Sequence, residues 1–310
     1  MGLAGDRHQR ELIWKMTIEW QNSRSHTMSK LGTALLLILA AIACPACNTA
    51  VKLSPAKPVV RVAVIGGMTM TGMWQEVSKM FEAQTGYKVE VVKTGQRPVL
   101  AAVFRAGQAD LLTMHSGDIT TNLVAEGYGV NMRPWTQNDL VIVGPAHDPA
   151  KIRGLHDGAE AFRRIATAKA NFVDFQGVGS REVCHSLWGK AGIHPKGDWF
   201  LQDQSNEHLD ILSFAASRNA YVVVGRMPVL FRKLQAAGME ILVENDPAMR
   251  RPYIVMEANP KRFSHTNVAG AKALSDFLAS DTVQSYLAKA ASNQRADVPL
   301  FHPVNRLIAK

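Results

Sequence analysis

Cysteine is scarce: Cys44, Cys47 and Cys184 are the only three in 310 residues. Two of them sit close together near the N-terminus, so the folded part keeps Cys184 alone and its core must cohere without a disulfide. Aromatic residues make up 7% of the chain, and no run of five or six basic residues accompanies the formal net charge of +9. A nucleic-acid binder concentrates positive charge and aromatics on one face; that pattern is missing, and no nucleic-acid partner is expected. The histidines are as dispersed. The closest pairs, His147/His156 and His185/His194, are nine residues apart, so no helical metal pair exists and no metal is expected. Gly177-Val178-Gly179 lacks the third glycine of a dinucleotide fingerprint, and neither a P-loop nor a Gly-x-Ser-x-Gly elbow occurs. Cys184 and His185 are neighbours on an expected helix, about 100° apart around its axis, so they do not face each other; a buried structural cysteine is the expectation. Nothing here points to an enzyme or to a cofactor.

What the chain does have begins with residues 31–43, LGTALLLILAAIA, an apolar run of thirteen preceded by Lys30. A membrane-spanning helix needs about 20 apolar residues, whereas this length, with small residues at its end, fits the hydrophobic region of an export signal. The run closes on Ala41-Ile42-Ala43-Cys44, close to a bacterial lipoprotein cleavage site, with Ala41 where Leu is usual. Lipidation of Cys44 is one outcome; cleavage nearby, leaving a Cys44–Cys47 pair, is the other. Met28-Ser29-Lys30 reads as the true start, with 1–27 as an upstream extension, and 44–58 as a tether containing Pro55 and Pro58. Cutting before Cys44 removes five Lys/Arg and three Asp/Glu, lowering the formal charge from +9 to +7. A mildly basic exported protein suits an anionic ligand or an anionic membrane surface.

From Val59 onward the chain alternates. Strands are expected at 59–65, 88–92, 110–114, 140–145, 171–175, 220–224, 240–243 and 253–256. Helices are expected at 73–86, 98–106, 120–126, 159–169, 180–190, 207–218, 228–237 and 268–290. The 140–145 segment, LVIVGP, is a continuous apolar run bounded by Asn138-Asp139 and Gly144-Pro145, which reads as a fully buried strand. Its central place makes it the expected crossing between two lobes. The fold class is therefore α/β, with mostly parallel sheets flanked by helices.

In such sheets ligands bind beyond the carboxyl ends of strands, where helix N-termini favour anions. Four strand ends carry suitable turns. Ile65 leads to Gly66, Gly67, Thr69 and Thr71; Val92 leads to Gln96 and Arg97. Met114 leads to His115 and Ser116, and Phe175 leads to Gln176, Gly179, Ser180 and Arg181. Any one of these turns is ordinary helix capping; four together point to a ligand cleft.

Further residues carry a family resemblance. Glu126-Gly127-Tyr128-Gly129, then Asn138-Asp139-Leu140-Val141-Ile142-Val143-Gly144-Pro145, then Asp148-Pro149-Ala150, resemble the tungstate-binding proteins of bacterial ABC importers. The stretch from Phe81 to Val89, Leu187-Trp188 and Ala220-Tyr221 fit the same pattern in the same order. The resemblance implies a two-lobed periplasmic-binding-protein fold with two crossover strands, an oxyanion between the lobes, and delivery to a membrane permease. Lobe I would comprise 59–137 plus 252–310, and lobe II 138–251. The protein would act outside the cytoplasm, lipid-anchored or free, as a monomer.

The departures fall on the pocket. The family's hydroxyl-rich tetrad after the first strand aligns near Val64 to Gly67, where no hydroxyl exists, with only Thr69 and Thr71 close by. Its ligand arginine aligns with Asp174, and Arg181 stands one turn away. The later Asp-Arg-Gly-Thr reads Gly225-Arg226-Met227-Pro228, keeping only Arg226. A ligand other than tungstate is the expectation. Met68 and Met70 are expected in a turn and Met73 in the core; the other reading makes all three part of a surface for a larger, partly organic anion. A different class of function, a sensory or metalloenzyme-accessory binding lobe on the same fold, remains the alternative.

Overall fold

The computed structural model describes residues 58–203, 210–289 and 299–304, within one compact unit, Pro55–Lys310. The export segment, Cys44 and the tether up to Lys57 lie outside the described residues. Among the described residues no helix is long and apolar enough to cross a membrane.

β1 (Val59–Ile65) runs into the short α1 (Gly66–Met70) and then α2 (Met73–Thr85). β2 (Lys88–Gly95), α3 (Arg97–Arg105), β3 (Leu111–His115) and α4 (Asp118–Ala125) follow. The 17-residue β4 (Gly129–Pro145) crosses to a second set. That set holds α5 (Gly158–Ala168), β5 (Phe172–Asp174), α6 (Val178–Ala191), β6 (Phe200–Gln202) and α7 (Ile211–Ala216). It ends with β7 (Tyr221–Gly225), α8 (Arg226–Leu230) and β8 (Met239–Val243). β9 (Arg250–Ala258) returns, followed by α9 (Val268–Leu278), α10 (Asp281–Lys289) and β10 (His302–Pro303).

The strands lie in the order β2-β1-β3-β9-β4-β7-β5-β6, with β8 and β10 also pairing to β4. β1 is parallel to β2 and β3, and β5 is parallel to β6 and β7, while β4 and β9 run antiparallel to their neighbours. Up to Asp139, β4 pairs with β9; from Leu140 it pairs with β7, and from Ile142 with β8 as well. The crossing expected at Leu140 is thus the second half of a longer strand. Its first half has no continuous strand pattern in the sequence, because Asn131 (φ 53°) and Pro134 interrupt it, coinciding with two register shifts.

The period of two explains why the Leu140 run is apolar throughout. Leu140 and Ile142 pack into one cluster with Phe162, Leu187 and Trp188; Val141 and Val143 pack into another with Ile211 and Leu212. Alternate side chains enter opposite faces, and helices cover both. β7 divides likewise, Tyr221 and Val223 on one side, Val222 and Val224 on the other. A separate core under β1, β3 and β9 is centred on Trp74 and Trp135, whose rings meet edge-on at 6.4 Å. Beside it the fully buried Asp110 accepts from Arg61 N, Nε and Nη2 (2.8, 3.1 and 2.6 Å) and from Asn267 N (3.0 Å), joining β1 to the loop before α9.

Some expected elements differ in extent. The helix expected at 228–237 is α8, which starts at Arg226 and stops at Leu230, because Arg232 turns to φ 54° and the N–H groups of Lys233 and Leu234 both return to Pro228 O. The helix expected at 268–290 is two, separated at Ala279-Ser280, where Ser280 Oγ accepts from Val283 N at 3.5 Å. The helix expected at 207–218 is represented by α7, 204–209 lying outside the described residues. Met68 is fully buried in α1 rather than in a turn, and Met73 is core as expected.

Candidate functional site

The carboxyl ends of β1, β2, β3, β5 and β7 converge on one cleft of about 580 Å³. From one side come Ile65, Gly66, Gly67 and Met70 of the β1–α1 junction, Gln96 and Arg97 opening α3, and His115 ending β3. From the other come Gly179 and Ser180 in the first turn of α6, and Met227 in α8. Asn138 and Leu140 of β4, with Arg251 and Tyr253 of β9, form its floor where the chain crosses. This is the position a ligand takes in an open α/β sheet.

Two guanidinium groups enter it. Arg97 is steadied by Nη1 donating to Ser116 O at 2.9 Å, and Gly117 leaves the space its head occupies. Arg251 reaches in from β9; among the described residues its buried Nη2 makes no close hydrogen bond, only the long ion pair to Glu182 Oε2 at 3.5 Å. Burial pushes the Arg251 pKa down, and Arg97 adds to this. The only carboxylate near either head among the described ion pairs is Glu182 on α6, 4.0 Å from Arg97 Nη1 and 3.5 Å from Arg251 Nη2. Its side chain is 46% exposed, which makes it a weak partner held at the rim.

Next to the arginines, Tyr253 is fully buried, and among the described residues its hydroxyl has no hydrogen-bond partner. Burial holds that hydroxyl protonated, so it is a free donor. His115 stacks on the Tyr253 ring at 4.0 Å, and its Nε2 donates to Asn138 Oδ1 at 3.2 Å. Burial, then Arg251 and Arg97, push the His115 pKa well below 6.5, so the ring is neutral at pH 7. A buried guanidinium and an orphaned hydroxyl are costly unless a ligand completes them. The arrangement is complementary to an anion.

Of the residues singled out in the sequence, Gly66, Gly67, Gln96, Arg97, His115, Gly179 and Ser180 line the cleft together. The others do not form its wall. Thr69 Oγ1 bonds Gly66 O and Thr94 Oγ1, each at 3.0 Å, and Thr71 Oγ1 donates to Gly67 O and Met68 O. Ser116 contributes its carbonyl to Arg97 rather than its hydroxyl to the cleft. Gln176 donates to Asp174 O and Oδ2, both at 3.1 Å, which occupies that carboxylate, and Arg181 is exposed. Arg226 is buried against Glu244 Oε2 (2.9 Å) and Pro299 O (3.3 Å). Cys184 is a buried thiol, and burial pushes its pKa up, as suits a structural cysteine. Among the described residues no group of His, Cys, Asp and Glu is placed to hold a metal.

The sequence pattern of the family described as bacterial extracellular solute-binding protein matches residues 62–290. The chain belongs to this family. This solute-binding protein is 28% identical over 284 residues to the tungstate-binding protein TupA of Peptoclostridium acidaminophilum, covering 89% of this chain and 97% of that one. It is 30% identical over 231 residues to an anion-binding protein of a putative ABC transporter from Haloferax volcanii, covering 72% and 66% of the two chains. The solved structure of the tungstate-binding protein TupA from Desulfovibrio alaskensis G20 shares the fold, with a TM-score of 0.65 at 24% identity over 80% of this chain and 99% of that one. The family resemblance read from the sequence is borne out by the family match and by these relatives.

In this solute-binding protein, Arg251, Tyr253 and Glu182 were not legible as site residues. Arg250-Arg251-Pro252 looks like a charged turn ahead of the return strand. The signal was present in combination: β9 pairs with β4 so that Arg251 lies opposite Asn138, a residue of the expected crossing.

Proposed function

We propose that this solute-binding protein captures an anion in the cleft and presents it to the permease of an ABC importer. The observation that supports this most is the pair Arg97 and Arg251, turned into one cavity where, among the described ion pairs, Glu182 at the rim is the one carboxylate that meets them. The relatives' names agree: two are tungstate-binding proteins and one is an anion-binding transporter component. Tungstate-like oxyanions and related anions are the ligand class. In this reading lobe I (59–137 plus 252–310) and lobe II (138–251) close on the ligand by a hinge at β4 and β9. No covalent chemistry is required; Arg97, Arg251, the Tyr253 hydroxyl, Ser180 and the N–H groups opening α3 and α6 would replace the anion's hydration shell. Residues 31–43 would direct export, and Cys44 would carry a lipid anchor or lie beside the cleavage point. The folded part would work as a monomer.

Calorimetric titration of the mature chain, from Ala50 onward, with tungstate, molybdate, sulfate, phosphate and short carboxylates tests this reading. One-to-one binding of at least one anion, lost when Arg97 and Arg251 are both replaced by Met, is the expected result. No heat with any of them would overturn it.

A further inference from the structure

As it stands before any closure, the cleft has more room than a bare tetrahedral anion fills, and its apolar wall would still face the ligand once the lobes close. Its volume of about 580 Å³ falls within the roughly 300–1,000 Å³ typical of sites for organic molecules, which combine apolar lining with a few placed polar groups. Here Ile65, Met70, Leu140, Phe175, Met227 and Pro228 supply the lining. The hydroxyls nearest the β1–α1 junction, those of Thr69 and Thr71, are spent on backbone carbonyls and on Thr94, leaving the cleft face of that loop to Ile65, two glycines and Met70.

The charge count points the same way. Arg97 and Arg251 bring two positive charges and Glu182 one negative, a net of +1 around the polar end. A monoanion neutralises that; a dianion leaves one negative charge unless Glu182 withdraws. The two forks are also suited to a planar carboxylate, which accepts paired N–H bonds from guanidinium groups. The fully buried Tyr253 hydroxyl, without a partner among the described residues, supplies a further donor beside Arg251.

We propose that the ligand is an organic monocarboxylate, its head on Arg97 and Arg251 and its apolar body against Met70, Leu140, Phe175 and Met227. This rests on the anion-capture reading and narrows it. Glu182 then acts as the residue that sets selectivity for single over double negative charge.

Titrations with acetate, butanoate, hexanoate, benzoate, sulfate and tungstate, on wild type and on Glu182→Gln, test it. The expected result is tighter binding along the carboxylate series, up to about fourfold per methylene, with hexanoate or benzoate exceeding tungstate. Glu182→Gln is expected to raise affinity for tungstate about tenfold more than for hexanoate, because the removed charge acts twice as strongly on a dianion. Tungstate binding above every carboxylate, with no dependence on chain length, overturns the proposal and leaves anion capture standing. An unchanged tungstate-to-hexanoate ratio in Glu182→Gln overturns the selectivity role. Absence of binding by all six overturns both readings.

Discussion

The Arg251 guanidinium occupies the space that a Cβ on Gly179 would take, so the bare backbone in the first turn of α6 is what admits this charge into the cleft. Gly179→Ala should therefore displace Arg251. A hydrogen bond to a charged group is worth about 1.5–3 kcal/mol, so anion affinity should fall about ten- to a hundredfold. Gly189→Ala, on the same helix with nothing within 4 Å of the added methyl, is the control. It should leave binding unchanged and stabilise the fold by up to about 1 kcal/mol. Calorimetry and urea denaturation of both variants check this.

Tyr253→Phe removes a buried hydroxyl that has no partner among the described residues. Deleting an unsatisfied polar group does not cost the free protein stability and relieves about 1 kcal/mol or more. The melting temperature of the unliganded variant should hold or rise, while affinity for the anion drops. A lower melting temperature without ligand would show that the hydroxyl is already satisfied.

Asp110 gathers three donors from Arg61 and one from Asn267 in a site with no solvent access to the carboxylate. Asp110→Ala leaves two backbone N–H groups unpaired and frees the Arg61 head, whose side chain is 29% exposed and can reach water. The loss should be about 3 kcal/mol, toward the low end for a broken buried pair. Equilibrium unfolding measures it, and affinity for the anion should not change, since Asp110 lies away from the cleft wall.

His115 gives stability a pH dependence. Its native pKa lies well below 6.5, first through burial and then through Arg251 and Arg97. The unfolded chain takes up a proton below about pH 6.5 while the native protein does not, so stability is full above that pH and declines as pH falls toward the native value. The slope contributed is at most about 1.4 kcal/mol per pH unit. His115→Gln should remove this part of the decline between pH 6.5 and pH 5. An identical slope in the variant would contradict an imidazole held neutral in the native protein.

The parts of the fold legible in the sequence were those set by local pattern. VVRVAVI at β1 and LVIVGP in β4 announce strands buried on both faces, and the turns after Ile65, Val92, Met114 and Phe175 mark where the cleft lies. Boundaries were lost where one backbone angle decides them, as at Arg232 and Asn131. Half of the cleft's chemistry was lost for a different reason. Arg251 and Tyr253 lie on β9, more than a hundred residues beyond β4, and only the antiparallel register that sets Arg251 opposite Asn138 brings them to the site. Arg226 shows the converse: an arginine at a promising strand end that packs on Glu244 instead.

The most direct test of the account is the titration of wild type and Arg251→Met with hexanoate and with tungstate, beside their unfolding curves without ligand. One-to-one binding by the wild type and a loss of about a hundredfold in the variant are expected. Unliganded stability of the variant should equal or exceed that of the wild type, because a buried, under-paired charge has been removed. Equal affinities in the two proteins, or no binding of either anion by the wild type, would contradict it.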